Sequence, residues 1–171
     1  MITNTNPLQS TVPWLAEIAD FLNGIGITTQ ACNVATESFL PGVLIEHGQL
    51  LYDASKLAAP SDLLHEAGHI AVTPNAHRKQ LFGALSPDQS FTCGGEVEAI
   101  AWSFAASIAI GMPLAELFHP AGYRGQAPGL ANNFALGVYP GVHGLIGAGL
   151  AANKAFGEPG AYPTLQRWLR E

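Results

Sequence analysis

The sequence predicts an α+β fold made mostly of helices, with one small sheet ahead of its central helices. Three observations carry that expectation. Apolar residues recur at helical spacing near residues 12–22, 62–72 and 96–110. The stretch GVLIEHGQLLYD sets two short apolar runs around His47-Gly48, as a β-hairpin does. Beyond Pro113 the chain is rich in glycine and proline, with further helices expected between the breaks. A chain of 171 residues is long enough to bury a real core and is read as one domain over 1–171, with 1–10 as a loose arm.

Thr11 can cap a first helix beginning near Val12, with Pro13 tolerated in the opening turn. Trp14, Leu15, Ile18, Phe21 and Leu22 form its apolar stripe, and Gly24 is the expected stop. Residues 25–41 give no clear pattern. After the hairpin, Ser61 is the expected N-cap and Asp62 the first-turn acid of a helix that Pro74 and Asn75 end. A polar loop is expected to about Thr92. Gly94-Gly95 then precede a long helix from Glu96 to Ile110, stopped by Gly111 and Pro113. Short helices are expected near 114–118, 129–138 and 142–155, and in the C-terminal PTLQRWLRE.

Composition narrows the function. Charged residues are 12% of the chain and hydrophobic ones 48%, so much surface must be covered, in part by a possible homo-oligomer. A net charge of −6 with seven scattered Lys and Arg argues against a nucleic-acid partner. The start, MITNTNPLQSTVPWL, lacks the basic-then-apolar build of a signal peptide. Cys32 and Cys93 cannot make a disulfide framework, and both read as reduced thiols of a cytoplasmic protein, with Cys93 a remote ligand candidate. Phe134–Ala152 carries no charged side chain, but Pro140, His143 and five glycines interrupt it, so no membrane span is expected.

The chemistry concentrates in DLLHEAGHIAV, residues 62–72. His65 and His69, four apart, share one helix face, where two imidazoles can grip one zinc ion. Glu66 beside the first histidine points near the open coordination position and can take a proton from an attacking water. Gly68 costs about 1 kcal/mol of helix propensity relative to alanine, so something needs backbone clearance there. A third ligand is required. Glu96 and Glu98 both open the next long helix. Glu98 is followed at helical spacing by Ala101, Trp102 and Ala105, which predicts a buried face, while Glu96 is explained by the helix dipole. Glu98 is therefore the expected ligand and Glu96 the alternative.

HEAGH followed by EVEAIAWSFAASIAIGMP resembles the gluzincin metallopeptidases, whose third ligand is a glutamate on a downstream helix. Thermolysin-like members place that glutamate before Ala-Ile-Ser, and here Glu98 precedes Ala99-Ile100-Ala101. The layout is also similar to minimal ImmA/IrrE-type metallopeptidases, with a hairpin before the HExxH helix and a second helix opening Glu-x-Glu-Ala and closing at Met-Pro. The resemblance spans roughly residues 43–113. It implies a zincin-like domain, His65 and His69 as zinc ligands, Glu66 as general base, and a peptide or protein substrate. The acid expected four residues after the ligand glutamate is Trp102 here, which leaves the histidines' outer partners open among Asp62, Asp53 and backbone carbonyls.

Peptide cleavage also needs a donor for the developing oxyanion. Tyr123 and His143 are the chosen candidates, with Tyr139 and His119 also in view, and Arg124 could meet a substrate carboxylate. His47 reads as a turn residue and His77 as a solvated loop residue. The expected function is a zinc-dependent metallopeptidase. The alternatives are a catalytically inactive metal-binding domain with a partner- or ligand-binding role, and a metal-free helical structural protein.

Overall fold

The computed structural model describes residues 12–34, 40–83 and 95–171. The expected N-terminal arm, the Thr11 cap, most of the loop before Thr92, and Cys93 lie outside the described residues. Helix α1 spans Leu15–Ile25 and buries Ile18 and Leu22. It runs past Gly24 because the stop needs a left-handed residue. Gly26 supplies one at φ 98°, its N–H reaching the Leu22 and Asn23 carbonyls.

Three strands follow: β1 Thr29–Ala31, β2 Val43–Glu46 and β3 Gln49–Tyr52. Their order is β1-β3-β2, with β2 antiparallel and β1 parallel to β3. The hairpin is the expected one. His47 at φ 52° and Gly48 at φ 76° provide the two positive-φ residues that a tight type I′ turn requires. Val43, Ile45 and Leu50 turn inward. Strand β1 comes from the stretch without a pattern; the Asn23 side chain fixes it by accepting from the Thr29 N–H and donating to its hydroxyl.

Helix α2, Asp62–Val72, is buried at every residue but Glu66. Ser61 precedes it without capping it: its hydroxyl makes no cap hydrogen bond. The first-turn N–H groups of Asp62, Leu63 and Leu64 are met instead by the carbonyls of Ala59, Pro60 and Ser61. At the other end two arginines satisfy the orphan carbonyls. Arg78 donates to Ile70, Thr73 and Arg170, and Arg170 donates to Ala71 from its backbone and to Val72 from its guanidinium. Arg78 belongs to the one-turn helix α3, Asn75–Arg78, so His77 lies on a helical turn rather than in a loop.

Helix α4, Glu96–Ile110, has the expected bounds and ends at Gly111, φ 75°. Helix α2 packs chiefly against it, with the sheet and α1 on other sides. The chain continues through α5 Leu114–Leu117, a 3-10 turn at Tyr123–Gly125, α6 Ala127–Ala135 and α7 Val142–Gly147. Helix α7 is shorter than expected because Gly149 takes φ 71° just beyond it. The C-terminal segment is not a helix. Its backbone donors serve other elements, Gln166 to Leu150 and Arg170 to Ala71, and Trp102 Nε1 donates to the Trp168 carbonyl. These long-range bonds outweigh a nine-residue helix that would be marginal alone. Among the described residues, no helix is long and apolar enough to cross a membrane.

Candidate metal centre

The one-turn offset of His65 and His69 brings their rings edge to face, with centroids 4.9 Å apart. Between them Gly68 lets the two helix backbones touch. A Cβ there would stand 2.6 Å from the Ala99 carbonyl oxygen and 3.0 Å from its Cα. The clearance expected from the sequence is therefore clearance for α4. That contact fixes the register of α4: Glu96, one turn before Ala99, shares its face and projects over the two imidazoles. His65 Nε2 lies 3.3 Å from Glu96 Oε1, and His69 Nε2 lies 3.2 Å from Oε2. Donor atoms held about 2.0–2.2 Å from a tetrahedral zinc stand roughly 3.4 Å from one another. The three residues offer ligand atoms all within 4.8 Å of one another, so together they could hold a metal ion.

The cluster differs from the expected donor set: it holds Glu96, the alternative, in place of Glu98. Glu98 is not in the cluster. Its carboxylate is seated between Gly95 and Gly144, where any added Cβ would collide with it, and so faces α7 instead of α2. The reason is that Ala99 to Ser107 are all buried. A helix buried on all sides gives burial no power to choose a face.

Electrostatics suit the cluster to a cation. Burial lowers His65 to a pKa of about 4, and His69 adds to the shift while Glu96 opposes it. The imidazole is thus neutral near pH 7, the form that ligates metal. The Glu96 side chain is 62% exposed. What burial it has works to raise its pKa, but the His69 hydrogen bond and the charges of His65, His69 and Arg124 prevail and hold it below its ordinary value. Glu66 goes the other way: burial raises it to about 7, opposed by His69 and reinforced by Glu96 and Asp62. A carboxyl in that range can exchange a proton at neutral pH.

Of the two expected oxyanion donors, the structure brings one to the cluster. The Tyr123 ring packs edge-on against His65, with centroids 5.5 Å apart, and against Phe118 at 5.2 Å. Burial pushes its phenol well above the ordinary range, with Asp62 and Glu96 adding to the shift and Ser103 opposing it, so it keeps its proton. His143 is exposed on α7 and makes no hydrogen bond or ring contact among the described residues. Tyr139 sits in an aromatic cluster with Phe104, Phe134, Phe156 and Tyr162. His47 is exposed on the hairpin turn.

The outer partners of the histidines also differ from expectation. Asp62 pairs with His119, Nε2 to Oδ1 at 2.9 Å, instead of supporting a ligand histidine. Asp53 is engaged by Ser55 and Lys56. Buried His65 Nδ1 has no hydrogen-bond partner among the described residues. Trp102, in place of an orienting acid, is fully buried between Phe21 and Trp168. The Asp62–His119 pairing bridges 57 positions and left no local signal in the sequence. No protein family, curated protein or solved structure matches this chain.

Proposed function

We propose that this chain is a zinc-dependent metallohydrolase that cleaves peptide bonds in a peptide or protein substrate. The observation that carries the reading is the convergence of His65 and His69 Nε2 on the two oxygens of Glu96. Two imidazoles and one carboxylate are a donor set suited to zinc, and the exposure of Glu96 leaves the cluster open on one side. A zinc ion held there supplies Lewis acidity toward the scissile carbonyl and the attacking water. Glu66 takes the water's proton and passes it to the leaving amine, a task its raised pKa favours. Tyr123, protonated beside His65, donates to the developing oxyanion. Peptide bonds are the proposed target because HEAGH with an acid on the next helix resembles the gluzincins.

The test separates metal from chemistry. Protein purified without chelator should hold about one zinc per chain, the filling expected of a three-ligand site. Glu66→Gln should keep that zinc and lose cleavage of a diverse peptide library. A Glu66→Gln protein that cleaves as fast as the parent would refute the mechanism. Full zinc loading with no cleavage by the parent would favour an inactive metal-binding domain.

A further inference from the structure

The segment that presents Tyr123 is strained. Tyr123 and Arg124, neither of them glycine, take left-handed φ values of 55° and 51° ahead of Gly125 at 81°. Such positions persist only where surrounding contacts enforce them. Two contacts do so. The backbone at Gly122 lies on the His119 ring, so closely that a Cβ there would stand 2.8 Å from Nε2 and 3.1 Å from Cε1. His119, itself buried, is fixed by Asp62 at the start of α2. Asp62 Oδ2 is buried without a hydrogen-bond partner among the described residues, so this pairing rests on Oδ1 and His119.

We infer that the Asp62–His119 pair is a positioning device for Tyr123, holding the left-handed turn closed so that the phenol stays against His65. The pair ties the turn to α2 itself. Asp62 lies three residues before His65 on that helix, on the same side, so the turn is referenced to the helix that carries two of the cluster's three donors. The Tyr123 ring also packs on Phe118 and the turn keeps its own backbone hydrogen bonds, so the pair acts together with these contacts to hold Tyr123 and Arg124 off ordinary backbone angles. What Tyr123 does once positioned rests on the metallopeptidase reading; its placement does not.

Nitration of tyrosine in the zinc-free full chain, mapped by mass spectrometry, reads the placement without any hydrolysis assay. Half-buried Tyr123, its ring covered by His65 and Phe118, should react slowly, and Tyr162, buried with its hydroxyl bonded to the Ala101 carbonyl, should resist. The double variant Asp62→Asn, His119→Ala removes the pair without stranding a buried charge. It should speed nitration of Tyr123 about tenfold while Tyr162 stays protected. His119→Gln, which keeps a donor near the Nε2 position, should restore the parent rate. Unchanged protection of Tyr123 in the double variant, or fast nitration of Tyr123 in the parent, overturns the inference. Equal exposure of Tyr123 and Tyr162 also overturns it, because the pair would then be holding the whole core. Absence of zinc or of cleavage in the parent, by contrast, counts against the proposed function and leaves this measurement intact.

Discussion

Replacing Glu96 with alanine removes one of three donors, so its affinity for zinc should fall on the order of 100-fold or more, beyond the usual cost of losing an outer partner. Glu98→Ala should leave zinc affinity within about threefold of the parent, because Glu98 faces Gly95 and Gly144 and not the histidines. Competition against a chromophoric chelator measures both, and the opposite ranking would sink the assignment of Glu96. That His65 and His69 stand together on one helix was legible in the sequence, because their spacing and the geometry of one helix are local facts. The choice between Glu96 and Glu98 was not, since it depends on how α4 is rotated against α2. The readable clue was Gly68: once a glycine between the two histidines is matched to a small residue on the next helix, Ala99, the acid one turn earlier is Glu96. Tyr123 was visible as a candidate only, and the Asp62–His119 pair that accompanies it joins residues far apart in the chain.

At the scale of elements, the crossing of α2 and α4 is the joint on which the site depends. Gly68→Ala would gain about 1 kcal/mol of helix propensity. Its Cβ, however, would stand 2.6 Å from the Ala99 carbonyl oxygen, which belongs to backbone and cannot swing aside. Overpacking of this kind costs about 1–3 kcal/mol, so set against that gain a net loss of up to about 2 kcal/mol is expected in denaturant unfolding, with weaker zinc binding as the helices separate. A Gly68→Ala protein as stable as the parent and with its zinc affinity would show that the close crossing does not matter. The bounds of α4 and the hairpin were readable because glycines and a two-residue turn mark them. Strand β1 was not, being three residues without alternation held by Asn23 and by pairing with β3. The C-terminal segment misled for the same reason: its sequence suits a helix, but Trp102 and the end of α2 claim its backbone.

At the scale of the whole molecule, a chain with few charges sets two strongly shifted groups, His65 and Glu66, on one helix, and the metal-free protein should register this in its dependence on pH. Two of the shifts there have opposite signs and fall in the working pH range. His65 falls from an ordinary 6.5 to about 4, so between those values the unfolded chain binds a proton that the folded chain refuses, and stability is lost as pH falls. Glu66 rises from 4.5 to about 7, so there the folded chain holds the extra proton, and stability is lost as pH climbs. The effects cancel between about pH 4.5 and 6.5, leaving a plateau with a falling limb on the acid side from His65 and Glu96 and another above it from Glu66. Glu66→Gln removes only the second. At pH 4, where Glu66 is protonated in both states, variant and parent should unfold at about the same denaturant concentration. By pH 8 the parent bears the full cost of burying an ionised Glu66, and the variant should be the more stable by on the order of 1–3 kcal/mol. Urea titrations with excess chelator at the two pH values measure the gap. A gap that fails to widen with pH would mean that Glu66 does not feel its burial in the folded chain, and the case for it as a proton carrier at neutral pH would go with it.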